Sequence, residues 1–169
     1  MELEQLIDQY GNSIMHLAYF YVKDRGIAED ITQETFYRAY KKLATFRGDS
    51  DVKTWLQRIA INLCKDYLRS WSWRKLWVMG EEFWGGLKAP HADPSQQVLA
   101  RDEKRALVEG ILQLPIKYRE VIVLYYYEEQ STVAIARILN INEGTVRSRL
   151  HRARLLLKVR LAKEEITNV

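Results

Sequence analysis

The sequence is poor in the residues that interrupt helices or cross-link loops. Its 169 residues include three prolines, eight glycines and a single cysteine, Cys64. One cysteine cannot form an internal disulfide or a zinc site made of several thiolates, which excludes both kinds of small-domain scaffold. With 47% hydrophobic and 28% charged residues, a disordered or collagen-like chain is also excluded. What remains is a globular, mainly helical protein, small enough for one ordinary domain or two small ones.

Long apolar runs and a basic N-terminal segment are missing as well. No stretch approaches the roughly 18 consecutive apolar residues of a membrane span, and residues 1–12 carry acids where a secretion signal carries bases. We therefore expect a cytoplasmic protein without direct membrane insertion. His16, His91 and His151 are too dispersed to suggest a metal site, and we expect neither a metal nor a cofactor.

The net charge of +4 is unevenly distributed along the chain. Residues 98–169 hold thirteen lysines and arginines against nine acids, which accounts for the whole excess. Residues 144–163 contain seven bases and no acid, a pattern typical of a helix that faces a polyanion. Residues 1–37 carry two bases against seven acids, whereas residues 38–70 carry eight against three. This polarity indicates that one part of the first segment meets a basic surface and the next part meets phosphate.

Apolar residues recur at spacings of three and four, which predicts an all-α fold of two small domains. Residues 1–70 are predicted to form a three-helix domain whose third helix covers about 52–70. Residues 98–169 are predicted to form a four-helix domain. Residues 71–97 hold four of the five tryptophans without a sustained period, and we interpret them as a linker. Its tryptophans suit an aromatic patch for a partner or, with few bases nearby, less well a membrane-surface element.

The segment from Ser131 to Leu157 has the pattern of a helix-turn-helix. Ser131 suits the N-cap of a short helix, Asn140 tolerates a left-handed conformation at its end, and Asn142 suits the cap of a longer second helix. An apolar stripe on that helix predicts a buried face, and the opposite side can reach DNA bases and phosphates. The candidate DNA-contacting residues are Thr145, Arg147, Ser148, Arg149, His151 and Arg152. The alternative is a solvated basic face on an ordinary helix.

A polar strip is predicted on the second helix of the first domain. Residues at spacings i, i+3, i+4, i+7 and i+8 share one helix face. The strip consists of Asp30, Gln33, Glu34, Tyr37 and Arg38. Taken by itself, such a strip is either a solvated surface or a contact for a partner.

The third helix combines aromatic, cationic and amide side chains on one side. Trp55, Arg58 and Asn62 keep helical spacing there, next to the loop that begins at Phe46. An aromatic ring stacks on any unpaired base and arginine follows the phosphates, so the combination favours single-stranded DNA. An amide such as Asn62 can read the edge of a base that has left the duplex. The alternative for Trp55 is a place in the core, and one ring can serve both purposes.

Three segments of the chain, in order, resemble one known family. They are AEDITQETFYRAY at 28–40, FRGDSDVKTWLQRIAINLCKDYLR at 46–69, and a third that runs from YREVIVLYYYEEQS at 118–131 to GTVRSRLHRAR at 144–154. They are similar to the extracytoplasmic-function sigma factors of bacterial RNA polymerase, within the sigma-70 family. One departure is Ala134, which stands where the family usually has an acidic residue.

The resemblance implies a sigma factor that binds core RNA polymerase, directs it to promoters and helps open the minus-ten DNA. Residues 1–70 would correspond to region 2 of the family, with the polar strip as the core-binding motif. Residues 98–169 would correspond to region 4, which reads the minus-thirty-five element. The minus-ten contacts implied by the resemblance and by the shared helix face are Phe46, Arg47, Ser50, Lys53, Trp55, Arg58 and Asn62.

The resemblance also implies the partners of the chain. These are core RNA polymerase, promoter DNA and an anti-sigma factor, which in this family is often anchored in the membrane. The free chain is expected to be a monomer. A stand-alone helix-turn-helix regulator is the alternative, but it would use dimer symmetry and would leave the polar strip unexplained. An enzyme fits less well, since the sequence has no phosphate-binding glycine loop, metal-ligand cluster or nucleophile paired with a base.

Overall fold

The computed structural model describes residues 3–46, 48, 50–78 and 98–167, and over these residues it contains helices and no strands. The first three helices are α1 (Leu3–Val22), α2 (Arg25–Lys42), which a 3₁₀ turn at Leu43–Thr45 continues, and α3 (Val52–Val78). The next four are α4 (Val98–Leu112), α5 (Ile116–Ile122), which a π-helical turn at Val123–Tyr127 continues, α6 (Thr132–Leu139) and α7 (Glu143–Thr167). The predicted all-α fold, with three helices followed by four, is confirmed.

The helix-turn-helix ends where its polar residues dictate. The Ser131 side chain accepts a hydrogen bond of 3.1 Å from the Ala134 backbone N–H and so caps α6. Asn140 adopts a left-handed conformation (φ 54°, ψ 48°) and ends this helix. The Asn142 side chain then accepts 3.1 Å from the Thr145 N–H at the start of α7. All three predicted caps are confirmed, and Ala134 still takes part in capping through its backbone.

Helix α3 is longer than the sequence analysis predicted. It runs to Val78, so residues 71–78 continue a helix that we expected to end near Ser70. The stretch 71–78 contains no proline or glycine, and nothing in its composition interrupts the hydrogen bonding of the preceding turns. The other linker residues, 79–97, lie outside the described part of the chain.

Helices α1, α2 and α3 pack on one another as a three-helix unit. Their shared core consists of the buried residues Leu6, Ile14, Phe36, Ala39, Leu56 and Ala60. Val52, Trp55 and Ile59 of α3 are partly buried against it. This packing determines which sides of α2 and α3 face outward. These sides hold the polar strip of α2 and the predicted minus-ten residues of α3.

A second core is continuous across the N-terminal and C-terminal helices. It joins Leu17 and Tyr21 of α1 and Cys64 of α3 to Leu124 and Ile135 of the C-terminal helices, all of them buried. Helix α1 contacts α5, and α3 contacts α6. The two groups of helices, which we predicted as two small domains joined by a linker, therefore share a packed interface.

Candidate nucleic-acid and polymerase interfaces

The basic face of α7 stands on a buried apolar stripe. Val146, Leu150 and Ala153 are between 0% and 2% exposed and attach the helix to its neighbours. On the other side, the predicted reading residues Arg147, Ser148, His151 and Arg152 are all exposed. Because the stripe is packed, the basic face is held in a fixed orientation. This is the arrangement that a recognition helix needs.

Some of the predicted DNA-contacting residues of α7 form hydrogen bonds or ion pairs within the helix, and others do not. The Ser148 hydroxyl donates to the Thr145 backbone oxygen (3.0 Å), and the half-buried Thr145 hydroxyl donates to Asn142 (3.0 Å). Arg147 lies 3.9 Å from Glu143, one turn earlier, in an exposed pair. Arg152 forms no ion pair with the described residues. Thr145 and Ser148 are thus engaged in the start of the helix, whereas Arg152 is free to contact DNA.

Arg149 is placed differently from the other predicted reading residues. Its Nη1 donates to Glu120 Oε1 on α5 at 3.0 Å, and only 25% of the Arg149 side chain is exposed. In this conformation the Arg149 cation neutralises a buried carboxylate and does not point away from the protein. The structure therefore does not bring Arg149 together with Arg147 and Arg152.

The polar strip of α2 forms one continuous surface. Asp30, Gln33, Tyr37 and Arg38 are exposed and Glu34 is half-buried, so all five predicted members are accessible. Arg38 Nε donates to Glu34 Oε1 at 2.7 Å, with 47% and 42% of the two side chains exposed. Tyr37 is 52% exposed, a large value for an aromatic side chain. The exposed tyrosine beside an arginine is typical of a protein interface, where these two residue types are enriched.

An apolar groove adjoins the strip. It lies between α1 and α2, with a volume of about 480 Å³, and is lined mainly by Leu3, Ile7, Met15 and Phe36 together with Gln33 and Tyr37 of the strip. Ile7 is 43% exposed at its edge. The candidate protein contact is therefore polar along α2 and apolar beside it.

The minus-ten candidates on α3 form an aromatic pair with polar neighbours. The Phe46 and Trp55 ring centroids are 4.7 Å apart, with the planes inclined by 36°. Trp55 is half-buried against the core of the first three helices, so it belongs to the core and also presents a face. Arg58 and Asn62 are exposed one and two turns further along. Ser50 is half-buried, and Arg47 lies outside the described residues.

Lys53 faces the C-terminal helices rather than solvent. Its Nζ donates 2.8 Å to the Glu128 backbone oxygen and lies 3.1 Å from Glu128 Oε2. The Glu128 side chain is 5% exposed and that of Lys53 is 28% exposed. Among the predicted minus-ten residues that the structure describes, Lys53 is the one that forms an ion pair.

Glu120 is a buried carboxylate that sequence reasoning missed. It accepts from the Tyr21 hydroxyl at 2.7 Å, lies 3.2 Å from Lys65 Nζ, and binds Arg149. Burial and the nearby Glu120 charge raise the pKa of Tyr21 well above its ordinary value. The only sequence signal was an acid inside an apolar segment, and its Tyr21 partner is 99 residues away.

Arg119, beside Glu120, is also buried. Its Nη1 donates to the Phe20 backbone oxygen (2.8 Å) and its Nη2 donates to the Leu114 backbone oxygen (2.9 Å). Burial lowers the pKa of Arg119. This guanidinium ties the end of α1 to the turn before α5 and is a structural contact.

None of the described helices combines the length and the apolar character needed to cross a membrane. Among the same residues, no group of three or more histidine, cysteine, aspartate or glutamate side chains is placed to hold a metal ion.

Comparison with known proteins gives matches along most of the chain. The family description Sigma-70 region 2 matches residues 6–74, and Sigma-70, region 4 matches residues 104–157. The ECF RNA polymerase sigma factor SigW of Bacillus subtilis is 37% identical over 162 residues, which cover 92% of this chain and 87% of that protein. The RNA polymerase sigma-H factor of Pseudomonas aeruginosa is 37% identical over 155 residues, 88% of this chain and 80% of that protein.

Two solved structures share the fold. The sigma factor RpoE from Bartonella quintana, in complex with the anti-sigma factor NepR, has a TM-score of 0.77 at 23% identity, covering 94% of this chain and 96% of that one. CnrH, in complex with the cytosolic domain of CnrY, has a TM-score of 0.69 at 24% identity and covers 95% of this chain and 88% of that one. The likeness extends over both groups of helices and therefore includes the fold of each.

Proposed function

This chain belongs to the extracytoplasmic-function sigma factors of the sigma-70 family. On this basis we propose which of its surfaces bind core RNA polymerase and which bind each promoter element. The chain is a transcription initiation factor that binds core RNA polymerase and promoter DNA. In the proposed division, residues 1–70 bind the core enzyme and the minus-ten element, and residues 98–169 bind the minus-thirty-five element. The protein acts in the cytoplasm and contributes no catalytic step of its own.

The main support for the proposed DNA binding is the exposed basic face of α7, which lies opposite the buried apolar stripe of the same helix. The helix follows a capped turn, as a recognition helix does, and its exposed residues would enter the major groove. Arg152 lies near the middle of that face and is free of ion pairs with the described residues, so it is the best placed to read a guanine. Lys158, nearly two turns further along, is exposed and would contact phosphate.

The strip on α2 is the proposed contact for the core enzyme. Its carboxylates and amide would meet arginines of the polymerase in charge-assisted hydrogen bonds. The apolar groove beside the strip would supply the desolvated part of the contact. The pair formed by Glu34 and Arg38 orients the carboxylate along the helix before binding.

The proposed minus-ten surface is the aromatic pair on α3 with Arg58 and Asn62. A melted base would stack on the exposed part of Trp55 or Phe46, Arg58 would follow the phosphate, and Asn62 would read a base edge. This assignment gives a function to a half-buried tryptophan beside an exposed arginine and amide. A stand-alone helix-turn-helix regulator would not need this surface.

An anti-sigma factor is the proposed inhibitory partner. RpoE and CnrH, which share the fold, were solved in complexes with NepR, an anti-sigma factor, and with the cytosolic domain of CnrY. By family membership, we propose that a partner of the same class restrains this chain, which is a monomer when free of it. The partner is cytosolic or anchored in the membrane by a segment of its own.

Gel filtration of the purified chain with core RNA polymerase tests the proposal. We expect the two to co-elute, and we expect the complex to bind a promoter that neither component selects alone. A stand-alone regulator would instead bind duplex DNA as a symmetric dimer without the polymerase. Separate elution at micromolar concentrations would contradict the proposed core contact.

A further inference from the structure

A groove in the C-terminal group of helices lies outside the surfaces assigned so far, apart from the exposed Lys158. It is bounded by α4, α5 with its π-helical turn, and α7, and has a volume of about 710 Å³. Small-molecule sites in proteins typically occupy roughly 300–1,000 Å³. We propose that this α4–α7 groove binds a free long-chain fatty acid, with the hydrocarbon chain in the groove and the carboxylate between Arg154 and Lys158.

The lining of the groove is mainly apolar. Its aliphatic members are Leu107 and Ile111 of α4, Ile122 of α5, and Leu157 and Leu161 of α7. The two isoleucines are each 2% exposed, and the three leucines are half-buried. A hydrocarbon chain packed on these side chains leaves water without leaving any hydrogen-bonding group unpaired, whereas an extended peptide would leave its backbone groups unpaired. The lining therefore favours an alkyl chain.

Close packing of α4 on α7 gives the groove a defined shape. Gly110 of α4 is buried, and a Cβ atom at this position would lie 3.0 Å from Leu157 Cδ1. Glycine therefore lets the two helices approach closely. Leu107 and Ile111, on either side of Gly110 in the sequence, line the groove beside this contact. A site that is formed before the ligand arrives costs less to occupy, because fewer side chains must be ordered on binding.

Two cations of α7 lie at the groove without an acid beside them. Arg154 and Lys158 both line it, are exposed, and are one helical turn apart. The α7 residues one turn before and after each of them include no aspartate or glutamate, and no acid is among the described residues that line the groove. Like charges at i and i+4 repel each other. An anion between the two side chains would remove this repulsion, so the groove is complementary to a ligand with a negative head group.

Two tyrosines hold Arg154 in position. Its Nε donates to the Tyr126 hydroxyl at 2.8 Å, and its guanidinium carbon lies 5.6 Å from the ring centroids of both Tyr125 and Tyr126. Cation–π contacts at this distance are attractive. Tyr126 itself lines the groove, and Arg154 forms no ion pair with the described residues. The guanidinium is therefore oriented by neutral partners and keeps its charge available for an anion.

Other apolar occupants fit this groove less well. Ile111 and Ile122 are recessed, so they do not project toward a bilayer as the apolar residues of a membrane-surface helix do. A second copy of the chain packed groove to groove would bring the same cations, Arg154 and Lys158, close to each other. A single alkyl chain with a carboxylate at one end matches both the apolar lining and the charge.

Calorimetric titration of the free, full-length chain with laurate, below its micelle concentration, tests the site. We expect saturable binding of one laurate per chain. Butyrate has the same carboxylate on a short chain, and laurylamine has the same long chain with a positive head group. Each should bind at least roughly tenfold more weakly, because butyrate buries less apolar surface and laurylamine cannot accept hydrogen bonds from the two cations. If laurate does not bind, or binds no better than laurylamine, the proposal is wrong.

Matched variants locate the bound laurate. Ala162→Trp, at an exposed position of the lining, places a large side chain in the groove, and Leu155→Trp does so at an exposed position of α7 outside the lining. Arg154→Gln removes a charge at the groove, and Lys117→Gln removes an exposed charge on α5. We expect Ala162→Trp and Arg154→Gln each to weaken laurate binding roughly tenfold or more, since a hydrogen bond to a charged group contributes about that factor. Arg154→Lys should retain most of the affinity, and the two controls should bind as the wild type does.

The remaining outcomes identify a different occupant or none. Circular dichroism identifies a variant that does not fold, and equal weakening by Ala162→Trp and Leu155→Trp would show that laurate does not occupy the groove. A dimer that Ala162→Trp dissociates, without laurate binding, would assign the groove to a second copy and overturn the proposal. Binding to phosphatidylglycerol vesicles without laurate binding would assign it to a membrane surface, with the same consequence. These measurements include neither DNA nor polymerase, so their failure leaves the proposed function unaffected.

Discussion

Reversing the acids of the α2 strip should weaken core binding far more than it weakens the fold. Asp30 is exposed and forms no ion pair with the described residues, and Glu34 pairs with Arg38 while 42% of its side chain is exposed. An exposed i, i+4 pair contributes about 0.3–0.5 kcal/mol, and like charges at this spacing cost a similar amount. The double variant Asp30→Lys, Glu34→Lys should therefore lower the free energy of unfolding by at most about 1 kcal/mol.

The expected effect on binding is several times larger. Opposing like charges across a specific interface cost several kcal/mol. A loss of even 3 kcal/mol would weaken the affinity for core polymerase by more than about 100-fold. The assay is competition of each unlabelled variant against fluorescent wild-type chain for core RNA polymerase, with urea unfolding as the measure of stability.

Glu109→Lys is the matched control for this variant. Glu109 accepts from Arg105 Nε at 2.9 Å in an i, i+4 pair on α4, with 63% of the arginine and 40% of the glutamate side chain exposed. The control should lose a comparable amount of stability and keep wild-type affinity for the core enzyme. If the double variant competes as well as the wild type does, the strip is a solvated helix face and its assignment is wrong.

The remaining predictions concern DNA contacts and the buried thiol. Asn62→Ala, at an exposed position, should reduce permanganate-detected opening of the minus-ten element and leave core affinity intact; unchanged opening would remove Asn62 from the minus-ten surface. Arg152→Ala should relax the preference at particular base pairs of the minus-thirty-five element by about 1–3 kcal/mol, whereas Lys158→Ala should weaken all promoters alike and flatten the salt dependence. A uniform loss on a promoter library would make Arg152 a phosphate contact. Burial raises the pKa of the Cys64 thiol from 9.0 to about 12, so the native chain should resist thiol reagents at pH 8, and rapid labelling there would contradict its burial. Because the pKa of Cys64 is higher in the folded chain than in the unfolded chain, its contribution to stability is full below pH 9 and falls as the pH rises toward 12. Urea unfolding of the wild type and of Cys64→Ala across this pH range would measure the loss.

The local features of this protein were predictable because short-range chemistry determines them. Ser131, Asn140 and Asn142 set the ends of their helices through contacts within a few residues, and the sequence pattern is sufficient to recognise such contacts. The apolar stripe and the exposed face of α7 follow from helical periodicity alone. The strip on α2 was predictable for the same reason.

The interface between the two groups of helices was not predictable in this way. The side-chain partners of Glu128 are 71 to 115 residues away, so no spacing in the sequence connects them. Helical periodicity places Arg149 beside the apolar stripe of α7 and Arg147 on another side. It could not identify Glu120 as the partner of Arg149, because the two residues are 29 apart in the sequence. The sequence resemblance implies that Lys53 contacts DNA, but it gives no sign of the Glu128 carboxylate that lies 3.1 Å from Lys53 in the structure.

Run-off transcription on fragmented genomic DNA of the source organism tests whether this chain directs promoter selection. Core RNA polymerase alone, with the wild-type chain, and with Arg152→Ala would each be incubated with the fragments, and the RNA 5′ ends would be sequenced. With the wild-type chain we expect discrete new 5′ ends that are preceded by two shared sequence elements at a constant spacing. With Arg152→Ala we expect the sequence of the upstream element to be less strictly shared. If the 5′ ends with the wild-type chain match those of core polymerase alone, the chain does not direct promoter selection and its proposed function is wrong.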